Sequence, residues 1–272
     1  MDKKPKDLVI LIRGAGEMAT GVAHRLASCH FKVCMTEASN PQAVRREVAF
    51  SEAIFDHEKE VEGVTAKKID SPHHIFQVWS ERKIPIVIDP EAKVKGFLKP
   101  DVLIDATLAK KNLGTTMTDA PLVIGLGPGF HAGRDVHLVI ETNRGHDLGR
   151  IIANGEAEPN TGIPGAIGGY AEERVIRAPK DGNFGALKKI GEGVRPNEKV
   201  GMVGNAAVRS RIAGVIRGLL RDGTEVWKGM KLGDVDPRGI KGYCYTISDK
   251  ARTISGGVLQ AILGHFNESP LD

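Results

Sequence analysis

The sequence predicts an α/β protein in which a Rossmann-like doubly wound parallel sheet is followed by a β-rich barrel-sandwich domain and a C-terminal helix. Three observations carry this expectation. Residues 8–37 run from Leu-Val-Ile-Leu-Ile-Arg-Gly-Ala-Gly-Glu-Met-Ala to Val-Cys-Met-Thr-Glu, the layout of a strand, a glycine turn, a helix and a second strand closed by an acid. Further apolar runs at Ile84 to Ile88, Val102 to Ile104, Leu122 to Ile124 and Val136 to Ile140 read as strands buried on both faces. An ungapped internal repeat matches residues 175–203 to residues 207–235 at a constant offset of 32.

In the first unit Gly14 permits the tight turn, Gly16 lets backbone N–H groups approach a phosphate, and Ala19 takes the small position where helix meets sheet. Glu17, which opens the helix, is counted with Gly14, Gly16 and Ala19 among the candidate cofactor-binding residues of this turn. Glu37 lies 21 positions beyond Gly16, where a carboxylate accepts hydrogen bonds from ribose hydroxyls. Arg13 closes an otherwise apolar strand, and a buried charge needs a partner, which favours an anionic ligand beside it. The open alternative is a ligand-free scaffold whose glycines serve only turn and packing. Arg45 and Arg46 follow the second strand, either as exposed helix-end arginines or as phosphate contacts.

Between Ser71 and Arg82 a cap residue and a first-turn proline predict a helix. The strand ends then place Gly14, Glu37, Asp89, Asp105 and Gly125 along one edge of the sheet, where open α/β sheets bind ligands. The segment Gly125-Leu-Gly-Pro-Gly-Phe-His-Ala-Gly-Arg134 offers a second anion site, with Gly125, Gly127 and Gly129 freeing the backbone and His131 and Arg134 adding charge. A glycine-rich crossover with a surface Arg134 is the equal alternative.

Residues 1–145 are expected as the nucleotide-binding domain, 146–173 as junction loops including Asn160, 174–240 as the repeat domain and 241–272 as a C-terminal helical segment capped by Ser248. Each repeat copy has short β-type runs between glycine turns, so the two copies are expected to interlock by pseudo-twofold symmetry. This arrangement resembles the biotinyl/lipoyl carrier domains, which present a modified lysine in the hairpin between halves. Here that hairpin is Gly204-Asn-Ala-Ala207, without lysine, which points to a structural or interaction-making module.

The bulk properties narrow the function classes. The 272 residues are 41% hydrophobic and 26% charged, with a formal net charge of +4 and no apolar run long enough to span a bilayer. No stripe of Lys/Arg with interleaved aromatics supports nucleic-acid binding, whereas anionic small molecules suit the balance. Cys29, Cys34 and Cys244 lack metal or redox spacing, and the N-terminus lacks a secretory signal, so a cytoplasmic location is expected. His137 and Glu141 lie four apart without a diagnostic third ligand, so no metal is expected. No serine-hydrolase, Walker or zinc-protease motif is present, and no Tyr-x-x-x-Lys pair supports hydride transfer.

The combination of Ile12-Arg-Gly-Ala-Gly-Glu-Met-Ala-Thr-Gly21, Pro41 through Arg45-Arg46, Phe50-Ser-Glu-Ala53, Gly125-Leu-Gly-Pro-Gly-Phe130 and Asn160-Thr-Gly-Ile-Pro-Gly165 resembles the YqeB-type family. These are accessory proteins of selenium-dependent molybdenum hydroxylase systems. The N-terminal half is more distantly similar to XdhC-type molybdenum cofactor maturation factors. The resemblance implies an accessory or maturation protein that binds a molybdopterin cytosine dinucleotide-type cofactor or a related anionic, nucleotide-type ligand, with a molybdenum hydroxylase apoprotein as partner and homo-oligomerisation as an option. Gly14, Gly16 and Glu37 would then hold the nucleotide half, and the loop at 125–134 with Asn160 would face the pterin. The alternatives are an NAD(P)-dependent oxidoreductase and a non-catalytic adaptor docking onto the hydroxylase.

Overall fold

The computed structural model describes residues 4–267, so the charged start and the last five residues of the expected C-terminal segment lie outside the described residues. The chain forms two compact units. One comprises residues 4–41, 49–160 and 247–267, the other residues 42–48 and 161–246.

The first unit contains β1 (Val9–Arg13), α1 (Glu17–Ser28), β2 (Lys32–Glu37), α2 (Ala53–Asp56), β3 (Glu58–Val61), β4 (Val64–Ile69), α3 (Ile75–Ser80), β5 (Ile84–Ile88), α4 (Lys95–Leu98), β6 (Val102–Asp105), β7 (Leu122–Leu126), β8 (His131–Ala132), β9 (Leu138–Ile140), β10 (Ile151–Ile152), β11 (Gly155–Glu156) and α5 (Asp249–Phe266). Nine strands pair in the order β10-β9-β7-β6-β1-β2-β5-β4-β3, and β8 pairs with β11 in a separate ribbon. Ile10, Leu11 and Ile12 of β1 are fully buried at the centre.

This corrects the expected Rossmann-like doubly wound parallel sheet. The sheet is mixed, because β3 runs antiparallel to β4 and β10 antiparallel to β9. A run of charge, Glu58-Lys-Glu60, makes β3 a solvated edge strand that discourages further pairing. Glu62 and Gly63, both at positive φ (46° and 83°), form the tight two-residue turn that joins β3 to β4. The crossovers also fall short of regular winding: between β6 and β7 the ordered element is a single 3-10 turn, Met117–Asp119. The helix expected after Ser71 is a 3-10 turn, Pro72–His74, followed by the six-residue α3, with the Ser71 hydroxyl accepting the His73 N–H.

Helices α1 and α5 pack side by side. Gly21 lies against Ala251, and the Arg25 Nε donates to Ser255 Oγ at 2.8 Å, so the two helices run parallel and their N-termini lie at the same end. Val22, Leu26, Ile254, Val258 and Ile262 form the buried stripes, each contributing about 1.5–3 kcal/mol by removal from water. Ser248 caps α5 by accepting the Ala251 N–H. No helix among the described residues is long and apolar enough to cross a membrane.

The second unit contains β12 (Val175–Arg177), β13 (Gly182–Ala186), β14 (Gly193–Val194), β15 (Lys199–Val203), β16 (Ala206–Arg209), β17 (Gly214–Leu219), β18 (Glu225–Val226) and β19 (Lys231–Asp236). They form two antiparallel four-stranded sheets, β12-β19-β17-β14 and β16-β15-β13-β18. Adding 32 to each residue number carries the first copy's strands onto the second's, so each sheet takes strands from both copies. Gly201 and Gly233 are equivalent in the repeat, and both allow a neighbouring carbonyl, that of Gly185 or Gly218, to come within 2.6 or 2.5 Å of where a Cβ would stand. The expected barrel-sandwich domain of residues 174–240 is corrected as well: the strands form two separate antiparallel sheets, and the unit extends beyond those bounds. Residues 42–48, from far earlier in the chain, complete the unit: the Val44 carbonyl accepts the Leu219 N–H at 2.8 Å and Arg46 Nε donates to the Leu219 carbonyl at 2.7 Å.

Two glycines of α5 should respond oppositely to substitution. A Cβ at Gly257 would overlap the Gly149 carbonyl, whereas nothing lies within 4 Å of one at Gly256. Gly257→Val should therefore lower the urea unfolding midpoint by about 1–3 kcal/mol equivalent. Gly256→Ala should raise it by up to about 1 kcal/mol through helix propensity. Equal effects from the two substitutions would contradict this packing.

Candidate functional site

The carboxyl ends of β1, β2, β5, β6 and β7 define the edge at which strand order reverses, since β2 lies on one side of β1 and β6 on the other. Such an edge is where ligands bind in open α/β sheets. Its residues arise locally from short strands that end together, each followed by a turn.

Arg13 is buried, and its guanidinium is engaged within the protein. Register places Arg13 beside Asp105. Its Nη1 reaches Asp105 Oδ2 at 3.3 Å and Thr115 Oγ1 at 3.1 Å, Nε donates to the Pro90 carbonyl at 2.9 Å, and Nη2 to the Leu113 carbonyl at 3.2 Å. Asp105 is fully buried and also accepts from Thr107 Oγ1 and Thr115 Oγ1, at 2.7 and 2.6 Å. The partner that the sequence demanded for Arg13 is thus a carboxylate of the same sheet.

Gly14, at φ +95°, brings its Cα against the Ala106 carbonyl, 3.1 Å from where a Cβ would stand. Glu37 folds back onto the turn: Oε2 accepts the Ala15 N–H at 2.8 Å and Oε1 the Ala38 N–H at 2.7 Å. Each oxygen keeps a lone pair. Burial pushes the Glu37 carboxyl above the ordinary glutamate range, against the opposing pull of the two amides. Ala19 is buried where α1 meets the sheet. Gly16 is the extended N-cap of α1 and provides no side-chain cap, and the direction in which a side chain would grow from it is clear for 4 Å.

Beside this opening stands a residue that the sequence reading did not single out. Lys250, in the first turn of α5, is partly desolvated, and that burial lowers its pKa, with Arg144 acting in the same direction and Glu17, Glu141 and Asp249 opposing it. A lysine beside a serine N-cap is ordinary in sequence, and only the parallel α1–α5 pairing brings it to Glu17. Glu141 is buried, and its oxygens accept the Thr142, Asn143 and Glu158 N–H groups, each at 2.7 Å.

The second glycine segment is filled by packing. A Cβ at Gly125 would lie 2.6 Å from the Phe130 ring, and one at Gly129 2.5 Å from the Lys111 nitrogen. Gly127 abuts Thr142 and donates its N–H to the Ile140 carbonyl at 2.9 Å. His131 Nδ1 bonds the Ala132 carbonyl, and exposed Arg134 pairs with Asp135 at 3.0 Å. Asn160 is exposed, and among the described residues no hydrogen bond ties it to either glycine turn. His137 Nδ1 accepts the Val123 N–H at 3.0 Å, and no cluster of metal-ligating side chains occurs among the described residues. The two-ended site expected for a molybdopterin dinucleotide is therefore not assembled, and the molybdenum-cofactor expectation is corrected: one end is closed by packing, while the other remains open at Gly16.

The raised Glu37 carboxyl has a consequence for stability. Its protonated form is favoured in the folded state, so its contribution is complete below the ordinary glutamate pKa and is lost as pH rises through the folded-state value. Urea unfolding across pH 4–7 should show this declining limb, and Glu37→Gln should flatten it; an unaltered profile in the variant would refute the assignment.

No family model matches the chain. Among solved structures it aligns with the ectoine utilization protein EutE (DoeB) from Ruegeria pomeroyi, at 10% identity over 75% of this chain and 57% of that one, with a TM-score of 0.24. It also aligns with an aspartoacylase family protein from Mesorhizobium loti, at 11% identity over 84% and 85% of the two chains, with a TM-score of 0.28. A succinylglutamate desuccinylase/aspartoacylase from Rhodobacter sphaeroides gives 14% identity, the same coverages and a TM-score of 0.26. At these scores the alignments carry no argument about fold or chemistry. In sequence, 255 residues, 94% of the chain, are 46% identical to YqeB of Escherichia coli (strain K12), itself uncharacterized, and cover 47% of that protein. The chain is therefore similar to YqeB along nearly all of its own length while spanning about half the length of that relative.

Proposed function

We propose that the chain is an accessory protein of a selenium-dependent molybdenum hydroxylase system and that its first unit binds a small anionic, nucleotide-type ligand at the carboxyl edge of the parallel strands. The pathway, with a hydroxylase apoprotein as partner, is what the sequence's resemblance to the YqeB-type family implies, and the 46% identity to YqeB supports that resemblance alone. The ligand reading rests on one observation: the open, uncapped N-terminus of α1 at Gly16, next to the N-terminus of α5 and the half-buried amine of Lys250. Helix N-termini carry about half a positive charge each and bind anions through first-turn amides. The free lone pairs of Glu37 suit ribose hydroxyls at the same turn.

Calorimetric titration with ADP, CDP and inorganic pyrophosphate tests the ligand reading, and NADH or NADPH fluorescence tests the dinucleotides. Gly16→Asp is the informative variant. An aspartate caps a helix N-terminus better than glycine by about a few tenths of a kcal/mol, so the fold is retained, while its carboxylate occupies the anion position. Affinity for the bound probe should fall at least tenfold. Absence of binding by the unmodified protein, or equal affinity in the variant, overturns the reading.

A further inference from the structure

The 32-residue repeat gives the second unit an internal control, because one backbone frame is built twice with different residues on it. The turns at 195–198 and 227–230 are such a pair. The Glu198 N–H donates to the Arg195 carbonyl at 3.1 Å, and the Met230 N–H to the Trp227 carbonyl at 3.0 Å. Each turn is held by the other copy. Asn197 and Gly229, both left-handed at φ +64° and +83°, donate their N–H groups to the Ser210 and Ala178 carbonyls at 2.8 and 2.9 Å. Their own carbonyls accept from Nη1 of Arg209 and of Arg177, at 2.6 and 3.2 Å.

What the two frames carry differs. In the first turn charge is answered on the spot: Glu198 Oε2 accepts the Arg195 N–H at 2.9 Å, and Oε1 pairs with Lys188 Nζ at 2.7 Å. In the second turn Met230 stands in place of that acid, and Trp227, 58% exposed, stands in place of Arg195. A position that an arginine fills in one copy does not require an aromatic ring in the other. Tryptophan left in water without a structural need is the residue type that anchors protein interfaces.

Cations surround this ring's turn. The Lys228 N–H donates to Asp181 Oδ1 at 2.7 Å and Arg177 clamps Gly229, so residues 177–182 lie against the turn. Lys180 Nζ lies 3.3 Å from Asn205 Oδ1, at the tip of the β15–β16 hairpin. Arg177, Lys180 and Lys228 are exposed; among the described residues neither lysine makes an ion pair, and Glu172 stands 3.9 Å from Arg177. The whole unit is basic, with 17 Lys/Arg against 10 Asp/Glu, a formal +7 within a chain of +4. One ring among three cations is not the row of stacking rings that holds single-stranded nucleic acid. Nor is a β-turn the amphipathic helix that beds into a membrane surface. An acidic polypeptide segment with an apolar side chain matches both the charge and the ring.

We propose that the turn at 227–230, with Arg177, Lys180 and Lys228, is a docking surface for an acidic segment of a protein partner, and that Trp227 is its anchor. All of these residues belong to the second unit, so the proposal is independent of the anion-site reading in the first. The probe is a fluorescein-labelled glutamate peptide with one central phenylalanine, followed by anisotropy with the full chain over a range of salt concentrations. Trp227→Ala should weaken binding at least about tenfold. Lys180→Gln/Lys228→Gln should weaken it and make the salt dependence shallower, while Arg195→Gln/Lys199→Gln, at the equivalent turn, should do neither. Replacing the peptide's phenylalanine by alanine should cost affinity with the unmodified chain and nothing further with Trp227→Ala, the coupling expected of two groups in contact. Trp227→Arg, the residue of the other copy, should leave the urea unfolding midpoint in place; a lowered midpoint would make Trp227 structural and overturn the proposal. So would absence of peptide binding, unchanged affinity in Trp227→Ala, or equal losses from the two glutamine pairs. Tighter Trp227-dependent binding of phosphatidylserine vesicles or of a single-stranded oligonucleotide than of the peptide would likewise overturn it.

Discussion

The buried Arg13–Asp105 pair is the constraint on which the carboxyl edge of the first unit depends. The two residues are register partners on adjacent parallel strands, so the backbone ladder brings them together before any side chain chooses a rotamer. A guanidinium and a carboxylate removed from water are tolerated only when paired and hydrogen-bonded, and leaving either alone costs about 3–5 kcal/mol. The pair meets that condition by recruiting Pro90, Leu113, Thr107 and Thr115. In doing so it turns two strand ends into the anchor of the loop that crosses them. A charge that sequence alone marks as needing a partner thereby shapes the site without having to touch a ligand.

Glycine performs three different tasks along the same edge. At Gly14 it allows a backbone carbonyl to come close; at Gly125, Gly127 and Gly129 it makes room for Phe130, Thr142 and the Lys110–Lys111 peptide; at Gly16 it leaves space empty. These tasks are indistinguishable as letters in a chain, because the deciding quantity is what stands opposite the missing Cβ. A phosphate can use the third situation, whereas the second is already filled by protein. That difference turns two expected anion loops into one opening and one packed crossover.

The second unit shows how a symmetric sequence acquires an asymmetric surface. The repeat relates Leu187 to Leu219, yet Leu187 is 61% exposed while Leu219 is 1% exposed. The strand ending at Leu219 is covered by residues 42–48, which hydrogen-bond its backbone through Val44 and Arg46, and Val44 packs on the unit's core. Arg46, weighed as a phosphate contact or an exposed helix end, has this structural task, and Arg45 likewise donates to the Tyr243 and Thr246 carbonyls.

Sequence alone determined the local elements whose signal is short-range. The apolar run at Ile84–Ile88, the glycine turn between β1 and α1, the Ser248 cap and the 32-residue correspondence of strands all follow from neighbours along the chain. Tertiary structure decided the rest: the antiparallel edges of the sheet, the membership of residues 42–48 in the second unit, and the approach of Lys250 to Glu17. The physical reason is that hydropathy patterns report how deeply a residue is buried but not which residue buries it. Electrostatics at the candidate site depends on that second quantity, since it is set by partners as far apart along the chain as Glu17 and Lys250, brought together by the two parallel helices.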